Sequence, residues 1–368
     1  MFLIFKIINK FFMKRYISLL IALISFSCNE SPDNLNNETS NFLNGDLNGK
    51  NVIVVGSTLS DGAVVWINNK KIVLMGDATD AMGLYYENNK IYVTGWKYGG
   101  SALVWTMDID GSNQTIEELP GKFGEGQKII VKNGDVYVGG YFDNGSCYWK
   151  NGNKINLTTN ADSMGWGIDI DDNGDVYTAG YYMKGHNLIP SFWKNNTRSN
   201  LWRPNGGDGE AKYIKLKGNK KIFGGTLMYS HNFLGYLTKP TYWVNGNKNS
   251  CNIGNVNDGW QGSDIFSMFI DDNDDVYLGG FSQDMNAEHP TIWKNCEKIL
   301  LGGLDENEQL IEPGQSSGVV RSILKEDNKI IAAGTLGYFP GIPCIWVDSK
   351  PYVYDISLVG EVWDMIII

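Results

Sequence analysis

From residue 51 onward the chain is built of short apolar runs cut by polar turn residues, with no stretch of helical period. Seven of the runs end on a glycine: Val52 to Gly56 (VIVVG), Ile91 to Gly95 (IYVTG), Val136 to Gly140 (VYVGG), Val176 to Gly180 (VYTAG), Ile222 to Gly225 (IFGG), Val276 to Gly280 (VYLGG) and Ile330 to Gly334 (IIAAG). Their β-branched and aromatic residues predict strands. A tryptophan follows each run, at Trp66, Trp105, Trp149, Trp193, Trp243, Trp293 and Trp346. After it come a turn and a short apolar strand, such as Lys154 to Leu157 or Lys298 to Leu301. Ahead of the glycine runs lie further strands that end in Asn, Asp and Gly, as in Gly167 to Gly174 (GIDIDDNG) and Met268 to Asp274 (MFIDDND). These residues tolerate the positive φ of tight hairpins. One unit therefore has four antiparallel strands, A to D, with the marker glycine ending B and the tryptophan on C.

The marker glycines recur every 39 to 55 residues. A four-stranded unit at that period is the signature of propeller blades rather than of a sandwich, which would not repeat. The two ends complete the pattern. The first copy begins at strand B, and the last is followed by residues 361–368 (EVWDMIII), which align with Ser163 to Ile170 (SMGWGIDI) as an orphan strand A. The expected fold is all-β: a seven-bladed β-propeller of four-stranded antiparallel blades, closed by the C-terminal strand completing the first blade. Closure removes the exposed edges of an open array. The stretch Asp172 to Gly180 (DNGDVYTAG) resembles the repeat of bacterial seven-bladed propellers of the SBBP type, many of them secreted proteins or lipoproteins. That resemblance covers nearly all of the chain after residue 50 and implies an architecture, not an activity.

The N-terminus reads as an address. Met13, Lys14 and Arg15 form a short basic region, Tyr16 to Phe26 an apolar run, and Ser27-Cys28 a small residue before a cysteine. This resembles a lipoprotein signal, 1–28, with Cys28 as the lipidated residue and Met13 as an alternative start; the basic pair leaves the apolar run too short to span a bilayer. Residues 29–50 are polar and predict a flexible tether, and 51–368 the propeller. Because the ring is cut inside an A-to-B hairpin, the tether enters on the face of the A-to-B and C-to-D turns, the bottom. Cys147 and Cys344 read as small buried hydrophobes, while Cys251 and Cys296 could pair across neighbouring repeats in an oxidising compartment, which the sequence leaves open.

Composition narrows the partners. Forty-four glycines, twelve tryptophans and only 20% charged residues fit a turn-rich β-protein, and a net charge of -10 argues against nucleic acid and against anionic lipid surfaces. The bilayer is expected to be met through the acyl anchor only, at the outer membrane of the cell envelope.

Candidate chemistry lies on the opposite, top face, where the B-to-C and D-to-A loops are longest. Its acidic residues are Asp80, Glu125, Asp162, Asp208, Glu210, Asp258 and Asp264. Its aromatics include Trp96, Tyr98, Tyr141, Tyr181, Tyr182 and Phe281, with Trp166, Trp260 and Trp363 at the channel mouth. Rings stack on sugars while carboxylates and amides bond hydroxyls. The site expected on these grounds comprises Trp96, Tyr141, Trp166, Tyr182, Trp260, Phe281, Asp162, Asp208, Asp258 and Asp264, for a glycan or protein ligand. His186, His231 and His289 all fall in B-to-C insertions, without a pattern that makes them converge. The segment Asp169 to Gly174 matches half of a calcium loop, but Gly180 stands where the bidentate glutamate belongs, so a hairpin turn is the better reading; no cofactor is expected, a structural Ca2+ being the lesser alternative. No HExxH or phosphate-binding loop is present, which favours a non-catalytic binding module over a hydrolase or lyase acting on an extracellular polysaccharide. A structural partner in an envelope complex is the third alternative.

Overall fold

Hairpins set the repeat. Asn88 and Asn89, Asn133 and Gly134, Asn151 and Gly152, Asn245 and Gly246, Asp327 and Asn328, and Asp348 and Ser349 all adopt positive φ in consecutive pairs, the two-residue geometry whose twist matches that of the flanking strands. The Trp-x-Asn sequence of strand C acquires a use here. Asn68, Asn151, Asn195, Asn245 and Asn295, and Asp348 in the last copy, each turn a side-chain oxygen back to accept the backbone N–H at or near the start of their own strand B, at 2.8–3.0 Å. The turn carboxylates Asp171 and Asp271 accept two backbone amides each, from Asn173 and Asp175 and from Asn273 and Asp275. The calcium-like segment is thus a hydrogen-bonded hairpin.

The computed structural model describes residues 47, 49–143, 145–158, 162–205, 207–231, 235–251, 262–285, 287–304, 309–337, 341–354 and 359–368. The signal, Cys28 and most of the expected tether lie outside them, as do Asp258 and Trp260. Seven four-stranded antiparallel sheets form the ring, and among the described residues there is no helix. Blade 1 runs outward from Gly360–Ile367 to Val52–Thr58, Gly62–Ile67 and Lys70–Val73, so the C-terminal strand is its inner strand. Asn51 and Ile368 exchange backbone bonds of 2.9 and 3.0 Å at the seam. A two-stranded hairpin, Gly303–Leu304 with Leu310–Ile311, precedes blade 7. The B-to-C insertions of blades 4 and 5 differ from expectation: they prolong the strands, as Val176–Lys184 with Asn187–Lys194 and Lys220–His231 with Gly235–Val244, because their tyrosines, threonines and leucines suit a pleated surface. Leu47, expected in the tether, is 1% exposed and packs between blades 1 and 7, and Lys50 pairs with Glu326 and Asp327 at the bottom hairpin of blade 7. An apolar side chain next to a core is buried whatever the composition around it.

Strand B is apolar on both faces because both are covered. Val52 and Val54 face blade 7, while Ile53 and Val55 face blade 2. The seven strand-C tryptophans are at most 1% exposed. Those at 105, 149, 243 and 346 donate an indole N–H of 2.8–2.9 Å to Met75, Pro120, Trp202 and Gly302, carbonyls in the connection that leaves the preceding blade. Each such tryptophan fills the gap between two blades and pins them with one bond. Cys251 and Cys296 form a disulfide between blades 5 and 6, while Cys147 and Cys344 are free and buried.

The marker glycine answers to a β-bulge. In all seven blades the inner strand holds one extra residue opposite strand B, and the register shifts beside it. The bulge drives a carbonyl of the inner strand against the glycine. A Cβ at Gly56, Gly95, Gly140, Gly180, Gly225, Gly280 or Gly334 would overlap the carbonyl oxygen of Glu361, Asp80, Glu125, Met164, Glu210, Asp264 or Val319. A backbone oxygen cannot rotate away as a side chain can. We expect Gly225→Ala to destabilise the protein by about 3 kcal/mol, read from the urea midpoint; a change below about 0.5 kcal/mol would contradict this account of the marker.

Candidate functional site

A bulge bends a strand and re-aims the side chain of its extra residue. Here the extra residues, going round the ring from blade 1, are Trp363, Met82, Gln127, Trp166, Lys212, Phe266 and Arg321. All seven line one cavity of about 260 Å³ in the central channel. From blade 4 to blade 1 aromatic and cationic residues alternate. The Lys212 ammonium lies 5.7 Å from the Trp166 ring centroid and 4.7 Å from that of Phe266, and the Arg321 guanidinium 3.9 Å from Phe266 and 4.2 Å from Trp363. Each cation thus sits by two ring faces, whose quadrupoles attract it.

The inner strands descend from the top, so residues ahead of the bulge form an upper tier. Two positions before it stand Asp80, Glu125, Glu210, Asp264 and Glu361, with Met164 and Val319 in the remaining blades. Their partners on strand B follow the marker glycine: Trp96 faces Asp80, Tyr141 faces Glu125, Tyr181 faces Met164, Phe281 faces Asp264 and Ser57 faces Glu361. Below the ring, the residues after the bulge close the floor. Lys128 of blade 3 reaches Asp364 of blade 1 at 2.8 Å, Ser322 donates to the same carboxylate at 3.0 Å, and Lys128 lies 5.4 Å from the Tyr213 ring.

Burial shifts four carboxyls of the upper tier. It raises the carboxyls of Asp80, Glu125, Glu210 and Glu361, and of Glu288 nearby, above their ordinary values. Lysine and arginine only partly offset it at Glu210 and Glu361. Burial likewise lifts the Tyr181 phenol to about 12 and Tyr141 further, the latter helped by Glu125. For Lys212 burial opposes the charge, but Asp264, 2.6 Å away, and Glu210 outweigh it and hold the ammonium.

Of the residues expected in the site, Trp166 belongs to the bulge ring, and Asp264, Trp96, Tyr141 and Phe281 to the tier above it. Trp166 meets Tyr181 edge-on at 5.5 Å, and Phe266 stacks with Phe281 at 6.1 Å. Asp208 sits at the head of the inner strand of blade 5, accepting the Leu188 amide at 3.0 Å. Asp162 is exposed. Tyr182 points between blades 3 and 4, under the Arg198 guanidinium at 3.5 Å. His186 is exposed, whereas His289 is buried with Nδ1 3.0 Å from the Ser316 carbonyl and Nε2 3.1 Å from Asp284. No cluster of three metal-ligating side chains occurs among the described residues. Met82, Gln127, Lys212, Phe266 and Arg321 were not singled out from the sequence, nor were Glu288 and Glu361. The bulge residues do carry a signal: where the inner strand precedes its marker glycine, they stand thirteen or fourteen positions before it.

Fold and site together define a seven-bladed β-propeller with a floored, aromatic and charged channel mouth. No family model and no curated protein matches the sequence. Among solved structures the chain is similar to the β-propeller domain of Cps50 (Swd1) from Myceliophteria thermophila, with TM-score 0.46, 11% identity and coverage of 84% of this chain and 92% of that one. It is also similar to the computationally designed Ika8 protein (0.44, 16%, 84% and 80%) and to the GH43 endo-arabinanase of Bacillus licheniformis (0.32, 15%, 63% and 96%). These likenesses concern the fold alone.

Carboxyls that hold protons more tightly when folded make folding take up protons. Their contribution therefore grows as pH falls from neutrality through the raised values toward about 4.5, and is lost as pH rises. Asp61 and Asp274, held at about 2 by bonds to Lys71 and Lys220, act oppositely and withdraw stability only below their ordinary value of 3.8. The denaturation midpoint is expected to be higher at pH 5 than at pH 8, and Glu125→Gln to reduce that difference by raising the pH 8 value. An unchanged pH slope in the variant would sink the assignment.

Proposed function

We propose that the protein is a non-catalytic carbohydrate-binding module of the bacterial cell envelope that seats a sugar residue in the upper mouth of its channel. The observation that carries this reading is the ring itself: Trp166, Phe266 and Trp363 face a cavity of about 260 Å³ whose rim supplies carboxyl and phenol groups. A sugar offers an apolar ring face and a hydroxyl edge, and this lining matches both. The two ends of the channel also differ. Leu59, Tyr98, Phe123, Trp202, Met285, Leu310 and Val359 are exposed in top-face connections, Tyr98 at 88% and Met285 at 74%, whereas the positive-φ residues of the bottom hairpins are Asn, Asp and Gly with Ser349 and Cys296. Exposed apolar groups gathered on one face suit a ligand larger than the cavity, such as a glycan chain.

A lipid at Cys28 would hold the bottom face toward the bilayer and leave the top free, and the Cys251–Cys296 disulfide accords with an oxidising envelope compartment. A second reading, a hydrolase or lyase on a polysaccharide, draws on the raised carboxyls Asp80, Glu125 and Glu361, since a general acid must keep its proton near neutral pH. No cleavage of any glycan that binds is the outcome that supports the binding module over this enzyme.

On a glycan array, the full chain is expected to bind a restricted set of oligosaccharides, and Trp166→Ala to weaken binding tenfold or more while Tyr98→Ala changes it less; equal retention by both variants would remove the channel site. In a bacterial host, Cys28→Ser is expected to move the protein from the membrane to the soluble envelope fraction. A variant that stays membrane-bound would refute the anchor.

A further inference from the structure

Arg321 is a ring residue whose buried Nε–H finds no acceptor among the described residues. Four of the chain's 31 basic residues are arginines, and this is the one at the channel. Its side chain is 13% exposed and lies between the Phe266 and Trp363 rings. Among the described residues the buried Nε has no hydrogen-bond partner, and the carboxylate oxygen nearest its far end, Glu361 Oε1, is 3.7 Å from Nη2, too far for a hydrogen bond. Lys212, the equivalent residue of blade 5, is by contrast bonded to Asp264 at 2.6 Å. A guanidinium presents five donors in a rigid fork that fits a carboxylate or sulfate two-point, and buried donors without acceptors are costly. The channel cavity meets a second cavity at Arg321 and Trp363, lined also by Ser57, Thr58 and Asp80 beneath the top of blade 1, so the group can be reached from above.

We propose that Arg321 is an anion seat: it receives the carboxylate or sulfate of an acidic sugar residue, whose ring rests on the adjoining aromatic faces. This deepens the glycan reading and depends on it. The charged and titratable groups around the seat are Glu361 and Asp80, Asp264 and Glu288, and Tyr213. Asp264 is already paired with Lys212, and burial keeps the Tyr213 phenol protonated. Burial also makes Glu361, Asp80 and Glu288 take up protons more readily, so an arriving anion meets groups that convert from repelling charges to donors as pH falls. Binding of the acidic sugar therefore strengthens from pH 8 to pH 5.5.

Isothermal titration of the full chain with oligogalacturonate, its methyl ester and a sulfated oligosaccharide tests this. The wild type is expected to bind a charged oligomer at least tenfold more tightly than the neutral ester, with the sulfated and carboxylated arms showing which anion fits. Arg321→Gln is expected to abolish that preference while ester binding persists. Should Arg321→Gln fail to fold, Arg321→Lys, which keeps the charge and loses the fork, is expected to reduce the preference several-fold. Equal binding of acids and ester by the wild type, or a preference that survives both substitutions, overturns the anion seat and leaves the glycan reading standing. Absence of binding to these and to every glycan of an array overturns both.

Discussion

The structure depends on one close approach, that of an inner-strand carbonyl to the glycine that ends strand B. The extra residue opposite that glycine is what pushes the carbonyl inward, and any side chain on strand B would exclude it. The same local distortion occurs seven times around the ring, so it does more than bend strands. It turns seven side chains toward the axis at one level, where a regular strand would have alternated between the channel and the blade interior. Chemistry at the axis then follows from which residues occupy those positions. The blades themselves are held by something else: tryptophans on strand C, all buried between neighbours and four of them bonded to the preceding connection. Packing outside and aim inside are thereby separable.

That separation explains how a stable ring tolerates so much polarity at its centre. Charges in the channel are arranged in three tiers. The floor carries a paired Lys128 and Asp364, the middle tier alternates cations with aromatic faces, and the upper tier holds Asp80, Glu125, Glu210 and Glu361, which burial makes reluctant to ionise. Pairing, ring faces and protonation are three ways of avoiding an uncompensated buried charge. Arg321 is incompletely covered by all three, and it is the position at which a ligand has most to add.

Much of the fold was legible because the repeat is carried by residues with single purposes. Marker glycines, strand-C tryptophans and Asn-rich turns recur at fixed places in each copy, and the orphan strand at 361–368 implies the closure. The site was legible only in part. Trp166, Asp264 and the residues after the marker glycine were found because aromatics and acids near a mouth are conspicuous. Lys212, Phe266 and Arg321 were not, since a strict alternation of strand faces does not mark the extra residue of a bulge, and a bulge is visible only as the glycine it requires on another strand. Tyr182 was grouped with the top-face aromatics for its composition, but it is one residue beyond the position that faces the channel tier and so turns to the gap between blades. Leu47 shows the limit of composition in the other direction, a core residue embedded in a polar stretch.

The central claim, that each marker glycine exists to admit the bulge that builds the site, makes two residues on different strands interdependent. A double-mutant cycle between deletion of Trp166 and Gly180→Ala measures that dependence directly, because removing the extra residue withdraws the Met164 carbonyl that an alanine would strike. The account predicts strong coupling, with Gly180→Ala costing far less stability in the deletion background than in the wild type. Additive losses would contradict it.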